Sequence, residues 1–374
     1  MIYDVVIIGA GSMGMSAGYY LARAGKTVAL IDSNNPPHSE GSHHGETRII
    51  RHAYGEGDKY VPMALRSQEL WYELEQESNG KIFHQTGILN IGTKNSLFLQ
   101  NVIDSVNKYR LPAETLTAKE INNRWPGYQL PDHLIGCYET NSGVLMSEEA
   151  IQVYRKLAIK YGAKLYTNAS ILDMTVTNHL VTIKTAEYSI EAKQLIITAG
   201  KGTNKITSLL GYELPIVPVR KTFSWFYSDE ETYNSNAFPG WSFDNGLETY
   251  YGFPSIDSAG IKIGRHDGGQ PVHADETLKT FGAYPKDEQD VTQFVHRYMS
   301  SELKHKQGKV CTYMNTPDSD FIIDRLPNHQ NVITACGFSG HGFKFSSSIG
   351  ELLSQMVTEG ETSLDISYFS LGRF

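Results

Sequence analysis

Apolar residues near the start of the chain fall in two short continuous runs, Val5-Val6-Ile7-Ile8 and Val28-Ala29-Leu30-Ile31, with an Ala-, Leu- and Tyr-rich stretch at 15–24 between them. Short unbroken runs predict strands buried on both faces, and the stretch between them predicts a helix that stops at Gly25. Residues 64–78 (ALRSQELWYELEQES) are amphipathic at helical spacing, and 47–53 also reads as helical. Residues 83–92 read as a hairpin-like strand region, and 145–161 holds a helix opened by Ser147 with Glu149 close behind. Alternation at a two-residue period returns over 170–192, as in Val181-Thr182-Ile183-Lys184, and 194–200 reads as a buried strand ending in glycine.

The turn between the first strand and helix is Gly9-Ala10-Gly11-Ser12-Met13-Gly14, and the second strand ends at Asp32. Strand, glycine-rich turn, helix, strand and acid is the arrangement that holds a dinucleotide. Gly9 permits the tight turn, Gly11 lets the backbone approach a pyrophosphate, and Gly14 lets the helix lie close on the strand, where Gly18 adds a second small contact. Unpaired N–H groups and the macrodipole at the helix start favour the anion. Asp32, eighteen residues after Gly14, is placed to accept hydrogen bonds from an adenosine ribose. This motif alone leaves FAD and NAD both open.

The middle of the chain, 215–313, carries many of the aromatic residues, with strand-like runs at 221–227, 249–253 and 261–263. The first style returns at 331–335, followed by a glycine-rich turn and a helix over 344–356. The expected fold class is α/β (α+β). A Rossmann-type dinucleotide domain is assembled from 1–84, 145–214 and 315–374, and an antiparallel-sheet substrate domain from 85–144 and 215–314.

The chain has 374 residues, 40% of them hydrophobic and 20% charged, which is enough for two domains. A net charge of −8 argues against nucleic acid, because phosphate binding needs an excess of Lys and Arg. No apolar run is long enough to cross a bilayer, and the short one at 5–8 lacks the basic flank of a signal peptide. Cys137, Cys311 and Cys336 are too scattered for a disulfide framework or a metal site, so no metal is expected and a reducing, cytoplasmic setting is.

Several polar residues have a plain reading on their own. His44, Arg48 and Arg51, spaced four and three apart, would share one face of a helix, which by itself is a solvated basic face. Lys344 reads as an exposed lysine near a helix start. Lys262 stands between Ile261 and Ile263, so on a strand it points opposite to both, toward solvent in the plain reading. Tyr251 and His266 read as a structural aromatic and a surface histidine.

Four segments together resemble the monomeric sarcosine oxidase family, which includes N-methyltryptophan oxidase. They are the 9–14 glycine motif, Gly-Ser-His-His-Gly-Glu-Thr-Arg-Ile-Ile-Arg at 41–51, Tyr-Tyr-Gly-Phe-Pro at 250–254 and Gly-Phe-Ser-Gly-His-Gly-Phe-Lys at 337–344, and the likeness runs the length of the chain. The resemblance implies a two-domain flavoprotein with FAD bonded through its 8α-methyl carbon to Cys311. It places His44, Arg48 and Arg51 beside the flavin, and Lys262 above it as the cation that activates oxygen. It makes Arg51 and Lys344 the pair that binds a substrate carboxylate, with Tyr251 and His266 bordering the substrate. A cation near Cys311 would favour the thiolate that the bond requires.

The reaction so implied oxidises an N–CH₃ group with O₂, yielding formaldehyde, the primary amino acid and hydrogen peroxide. The expected partners are a small N-methyl amino acid and O₂, with no nucleic acid and no membrane, and the expected working unit is a monomer. Sarcosine ranks ahead of N-methyltryptophan on segments 51–57 and 70–74. Trp241-Ser242-Phe243-Asp244 departs from the sarcosine branch: Ser242 leaves room for a larger side chain, and Trp241 or Phe243 is placed to stack on an indole. The rivals are a nicotinamide-dependent dehydrogenase and a non-catalytic flavin module. A hydrolase reading of Gly337-Phe338-Ser339-Gly340-His341 is rejected, because the fifth residue is histidine where a Gly-x-Ser-x-Gly elbow has glycine.

Overall fold

In the computed structural model, which describes residues 1–300 and 302–374, the strand Ile2–Ile8 lies inside an eight-stranded sheet. It pairs in parallel with Val28–Ile31 on one side and Ser189–Ile197 on the other. His329–Cys336 joins Ser189–Ile197, also in parallel, and carries the antiparallel strand Ile322–Leu326. Val5 and Ile7 pack into one apolar cluster while Val6 and Ile8 pack into another, as a strand covered on both faces requires. The helices Ser12–Arg23, Val61–Ser78, Ser147–Lys160 and Ser346–Thr358 contribute to the first cluster.

The second large sheet has nine strands, in the order Gln270–Pro271, Val217–Tyr227, Ile261–Arg265, Thr249–Phe253, Gly240–Asp244, Ile88–Thr93, Leu134–Glu139 and Ala113–Thr117, with Lys304–Asn315 also paired to Val217–Tyr227. It is antiparallel apart from the pairing of Gly240–Asp244 with Ile88–Thr93. One face buries Ile91, Phe226, Trp241, Phe243, Tyr250 and Ile261 with the helix Lys286–Tyr298. Everything one residue out of step with that set faces the other way.

Three local readings need correction. Residues 47–50 are not helical: Thr47–Ile50 is a strand paired with Gly143–Met146, since three β-branched residues in four favour the extended ladder. Residues 83–92 are not a hairpin. Gly87, at φ +69, redirects the chain, so that Phe83–His84 joins the small sheet with Gly143–Met146 while Ile88–Thr93 enters the nine-stranded one. Ser147 is the first helical residue of Ser147–Lys160 rather than its cap, and its neighbour Glu148 instead accepts bonds from the N–H groups of Gly45 and Glu46, each at 2.8 Å.

Candidate active site

The glycine turn is a built cradle. A Cβ on Gly9 would collide with the backbone of Thr198, and one on Gly14 with the carbonyl of Gly9. One on Gly11 would meet only the His43 ring at 3.6 Å, so the space above Gly11 is open to a ligand. The helix Ser12–Arg23 begins there with no side-chain cap and no acid in its first turn, leaving its N–H groups for an anion. Asp32 is fixed by accepting from the N–H groups of Ala10 and Asn34, each at 2.8 Å.

Gly9, Gly11 and Asp32 line one end of a cavity of about 790 Å³, and Arg51 and Lys344 line it as well. An extended dinucleotide fits such a space, with its diphosphate at the glycine turn.

The nine-stranded sheet supplies another wall. In register across it stand Cys311 and Lys221, Phe223 and Gly264, then Tyr251 and Ser242, all on the face opposite the aromatic core. Gly264 is required there, because a Cβ would enter the Tyr251 ring. Burial pushes the Tyr251 phenol up to about 12 and the His266 imidazole down to about 4, so both stay neutral at pH 7.

Lys262 lies on this same face, and its side chain is buried rather than solvent-facing. The plain reading of its alternation is wrong because the face opposite Ile261 and Ile263 is covered at this point by residues 45–47, not by water. Its ammonium donates to the Gly45 carbonyl and to the Thr47 carbonyl and hydroxyl at 3.1 and 3.0 Å. It does not line the cavity, and lies 4.8 Å from the Phe223 ring and 4.6 Å from that of Phe253. Burial drives its pKa well below the ordinary lysine value.

His44 does not line the cavity either. Its Nε2 lies 2.5 Å from the Val310 carbonyl, so that nitrogen carries the proton. Arg48 donates to the carbonyls of Thr47, Ser42 and His44 at 2.7, 2.8 and 2.6 Å, which ties the 42–47 loop together. The two do not share a helical face, and the spacing that predicted one reflects a loop followed by a strand.

Cys311 is in the wall, with its sulfur buried. Burial raises its thiol pKa, and Arg48, Lys262 and Lys221 counter that without reversing it. The cations expected near this cysteine are present, but the net shift does not favour the thiolate, because desolvation is the larger effect.

Arg51 and Lys344 converge on Tyr54. The Arg51 guanidinium lies over the ring, 4.3 Å from its centre, and Lys344 donates to the hydroxyl at 3.1 Å and to the His341 carbonyl at 2.7 Å. Burial, reinforced by Arg51, lowers the Lys344 pKa to about 7. The Tyr54 hydroxyl is 2.9 Å from Nδ1 of His341, whose Nε2 donates to the Ser319 carbonyl at 3.1 Å, so the ring is a fixed tautomer. Arg51 is paired with Glu56. Burial opposes ionisation of Glu56, but Arg51, His341 and Lys344 outweigh it and hold its carboxyl below the usual range.

A family model described as FAD dependent oxidoreductase matches residues 4–356. The chain belongs to that family. It is 49% identical to a monomeric sarcosine oxidase of Bacillus sp. (strain NS-129), covering 99% of this chain and 97% of that one. It is 43% identical to an N-methyl-L-tryptophan oxidase of Citrobacter koseri over the full length of both. Among solved structures, an L-proline dehydrogenase from P. horikoshii superposes with a TM-score of 0.87 at 22% identity, covering 100% of this chain and 98% of that one, a likeness of fold.

As a member of this FAD family, the protein resolves the choice between FAD and NAD that the glycine motif left open. Three residues at the site escaped sequence reasoning: Tyr54, Glu56 and, in a catalytic context, His341. Glu56 had a usable signal, a single acid between Gly55 and Gly57 five residues after Arg51. Tyr54 had none, because a tyrosine next to a basic segment is ordinary.

Proposed function

We propose that this protein is a flavin-dependent oxidase of small N-methyl amino acids, converting sarcosine, O₂ and water to glycine, formaldehyde and hydrogen peroxide. One observation carries the reading: two buried basic side chains, Arg51 and Lys344, line the cavity that the glycine cradle opens into and meet at the ring and hydroxyl of Tyr54 beneath them. A carboxylate is the group such a pair recognises. The relatives named as sarcosine and N-methyltryptophan oxidases support the same chemistry on a CH–NH donor.

Bound FAD supplies the two-electron acceptor that takes a hydride equivalent from the N-methyl carbon and passes the electrons to O₂. Gly9, Gly11 and Asp32 hold its adenosine diphosphate end, and Gly14 sets the helix close behind them. Cys311 would hold it through a thioether to the 8α-methyl carbon, replacing one methyl C–H and the thiol S–H, with two protons released and two electrons passing to O₂, and His44 and Arg48 fix the loop beside it. Arg51 and Lys344 bind the substrate carboxylate after Glu56 gives way. Tyr251 and neutral His266 border the amine, adding no positive charge against its loss of electrons. Lys262 is proposed to stabilise a superoxide-like anion as an ammonium, the acceptors at Gly45 and Thr47 favouring the charged form against the burial that lowers its pKa.

The two-part division drawn from the sequence is kept as part of this proposal, supported by the two large sheets, although the strand Gly143–Met146 crosses its boundary at 144/145. Apart from Asn315, every strand of the nine-stranded sheet falls within 85–144 and 215–314, and the eight-stranded sheet draws on 1–84, 145–214 and 315–374. Three free, buried cysteines fit a reducing compartment such as the cytoplasm, and no described helix is long and apolar enough to cross a membrane. A monomer is proposed as the working unit.

N-methyltryptophan is the second reading, and one observation favours it: Ser242, a small residue, lines the cavity. The stacking once expected of Trp241 or Phe243 is excluded, because both are fully buried in the core on the opposite face. Comparing kcat/KM for sarcosine, N-methylalanine and N-methyltryptophan decides the ranking. Sarcosine is expected to lead. A preference of about tenfold for N-methyltryptophan, worth roughly 1.4 kcal/mol, would reverse the order.

A further inference from the structure

The strand Thr47–Ile50 ends one residue before Arg51, and the chain then leaves the ladder through the buried residues Arg51, His52 and Ala53. Buried N–H groups that have lost a ladder partner need another acceptor. Glu139, the last residue of Leu134–Glu139, provides it. Its Oε2 accepts from the N–H groups of His52 at 2.8 Å and Ala53 at 2.9 Å, and from the Ser142 hydroxyl at 2.9 Å. Its Oε1 accepts from the Asn90 amide at 2.9 Å. Glu139 is 2% exposed and Asn90 fully buried.

All four of these partners are donors. A carboxylate, which accepts at both oxygens, matches them, whereas an amide of the same length would turn a donor toward a donor. The carboxylate is anchored to the nine-stranded sheet through its own strand and through Asn90 on Ile88–Thr93. From it a short chain of bonds leads to the site: Glu139 holds the Ala53 N–H, and the Ala53 carbonyl accepts from Nη1 of Arg51 at 3.2 Å. Glu56, the present partner of Arg51, lies beyond this anchored stretch.

We propose that Glu139 is a positioning residue for Arg51, pinning residues 52 and 53 so that the guanidinium keeps its place when a substrate carboxylate replaces Glu56. The proposal rests on the reading of Arg51 as the carboxylate-binding cation. An incoming carboxylate then meets a cation already oriented, and the cost of ordering it is not taken from the binding energy. Without the pin, the Arg51 backbone has to be ordered anew at each binding event.

The test uses purified holoenzyme and acetate as a simple carboxylate probe, with binding read from the flavin absorption spectrum. Glu139→Gln is expected to raise the acetate Kd and the sarcosine KM about tenfold, with a smaller change in kcat, since uniform binding is what is lost. In an Arg51→Ala background the same substitution is expected to change the acetate Kd by less than about twofold, because the two residues act as one unit. Equal losses in both backgrounds would make Glu139 a general structural support and overturn the proposal. So would an unchanged acetate Kd when Glu139→Gln is made in the otherwise native enzyme. If Glu139→Gln does not fold, Asn90→Ala removes one tether, and its loss of acetate affinity is expected to vanish in the Arg51→Ala background; persistence there would overturn the proposal. Arg51→Ala alone separates the two claims. If it leaves acetate binding unchanged, the carboxylate reading of Arg51 fails and the proposal falls with it. If it weakens acetate while Glu139→Gln does not, Glu139 alone loses its role.

Discussion

Glu56 holds Arg51 in an ion pair inside the cavity, occupying the partner position that a substrate carboxylate requires. The protein thus carries its own acid against the cation it is proposed to use. That arrangement keeps a buried guanidinium paired when the site is empty, at the cost of competition with the ligand.

Removing the competitor has a definite expected result. Glu56→Gln should tighten acetate binding by roughly three- to tenfold, since about 1.4 kcal/mol corresponds to a factor of ten. Arg51→Ala should weaken it by roughly 10- to 150-fold, the range for losing a charged hydrogen bond of about 1.5–3 kcal/mol. Titration of the flavin spectrum with acetate measures both. Weaker binding in Glu56→Gln would mean that Glu56 supports the ligand rather than competing with it.

Lys344 makes the same site pH-sensitive. Burial brings its pKa down to about 7 in the free enzyme, so the second cation is present below that pH and lost above it. A bound carboxylate favours the ammonium and raises the pKa, so carboxylate affinity should fall as pH rises above about 7. Lys344→Met should bind more weakly at pH 6 and show a flat profile across that window. Persistence of the same pH dependence in Lys344→Met would assign the titration to another group.

How far the fold was legible depended on what occupied each face of a strand. The runs at 5–8 and 28–31 are apolar on both sides, and both became interior strands in the parallel part of the eight-stranded sheet. In the Ile261–Arg265 strand the alternation correctly set Lys262 opposite Ile261 and Ile263, yet it could not say that this second face is buried against residues 45–47. Polarity marks a face as different from the core, and a site wall and solvent look alike in that respect. The 44–51 segment misled for another reason: spacings of four and three suit a helix, but Thr47, Ile49 and Ile50 pair better in a ladder. The meeting of Arg51, Tyr54 and Lys344 was beyond spacing altogether, because it joins segments about 290 residues apart.

Lys262 should separate the two half-reactions. Lys262→Met is expected to slow reoxidation of the reduced enzyme by O₂ far more than anaerobic reduction by sarcosine, because the cation is needed only where the superoxide-like anion forms. Stopped-flow absorbance resolves the two steps. Equal slowing of both would remove Lys262 from the oxygen step.

Cys311 should tether the cofactor. Acid-denatured protein on a gel should keep flavin fluorescence with the polypeptide, and Cys311→Ala should lose it. Because burial holds the thiol up, attachment is expected to quicken as pH is raised during reconstitution of apoprotein with FAD. Retention of denaturation-resistant flavin by Cys311→Ala would move the bond elsewhere.

The central claim is the conversion itself, and a single stoichiometry tests it most directly. Sarcosine is added to purified holoenzyme without oxygen, the flavin spectrum is followed, and O₂ is then readmitted while formaldehyde and peroxide are measured. Bleaching of the flavin followed by formaldehyde and hydrogen peroxide in a one-to-one ratio is the predicted result. A flavin that sarcosine, N-methylalanine and N-methyltryptophan all leave oxidised, or that they reduce without peroxide appearing when O₂ returns, would contradict it.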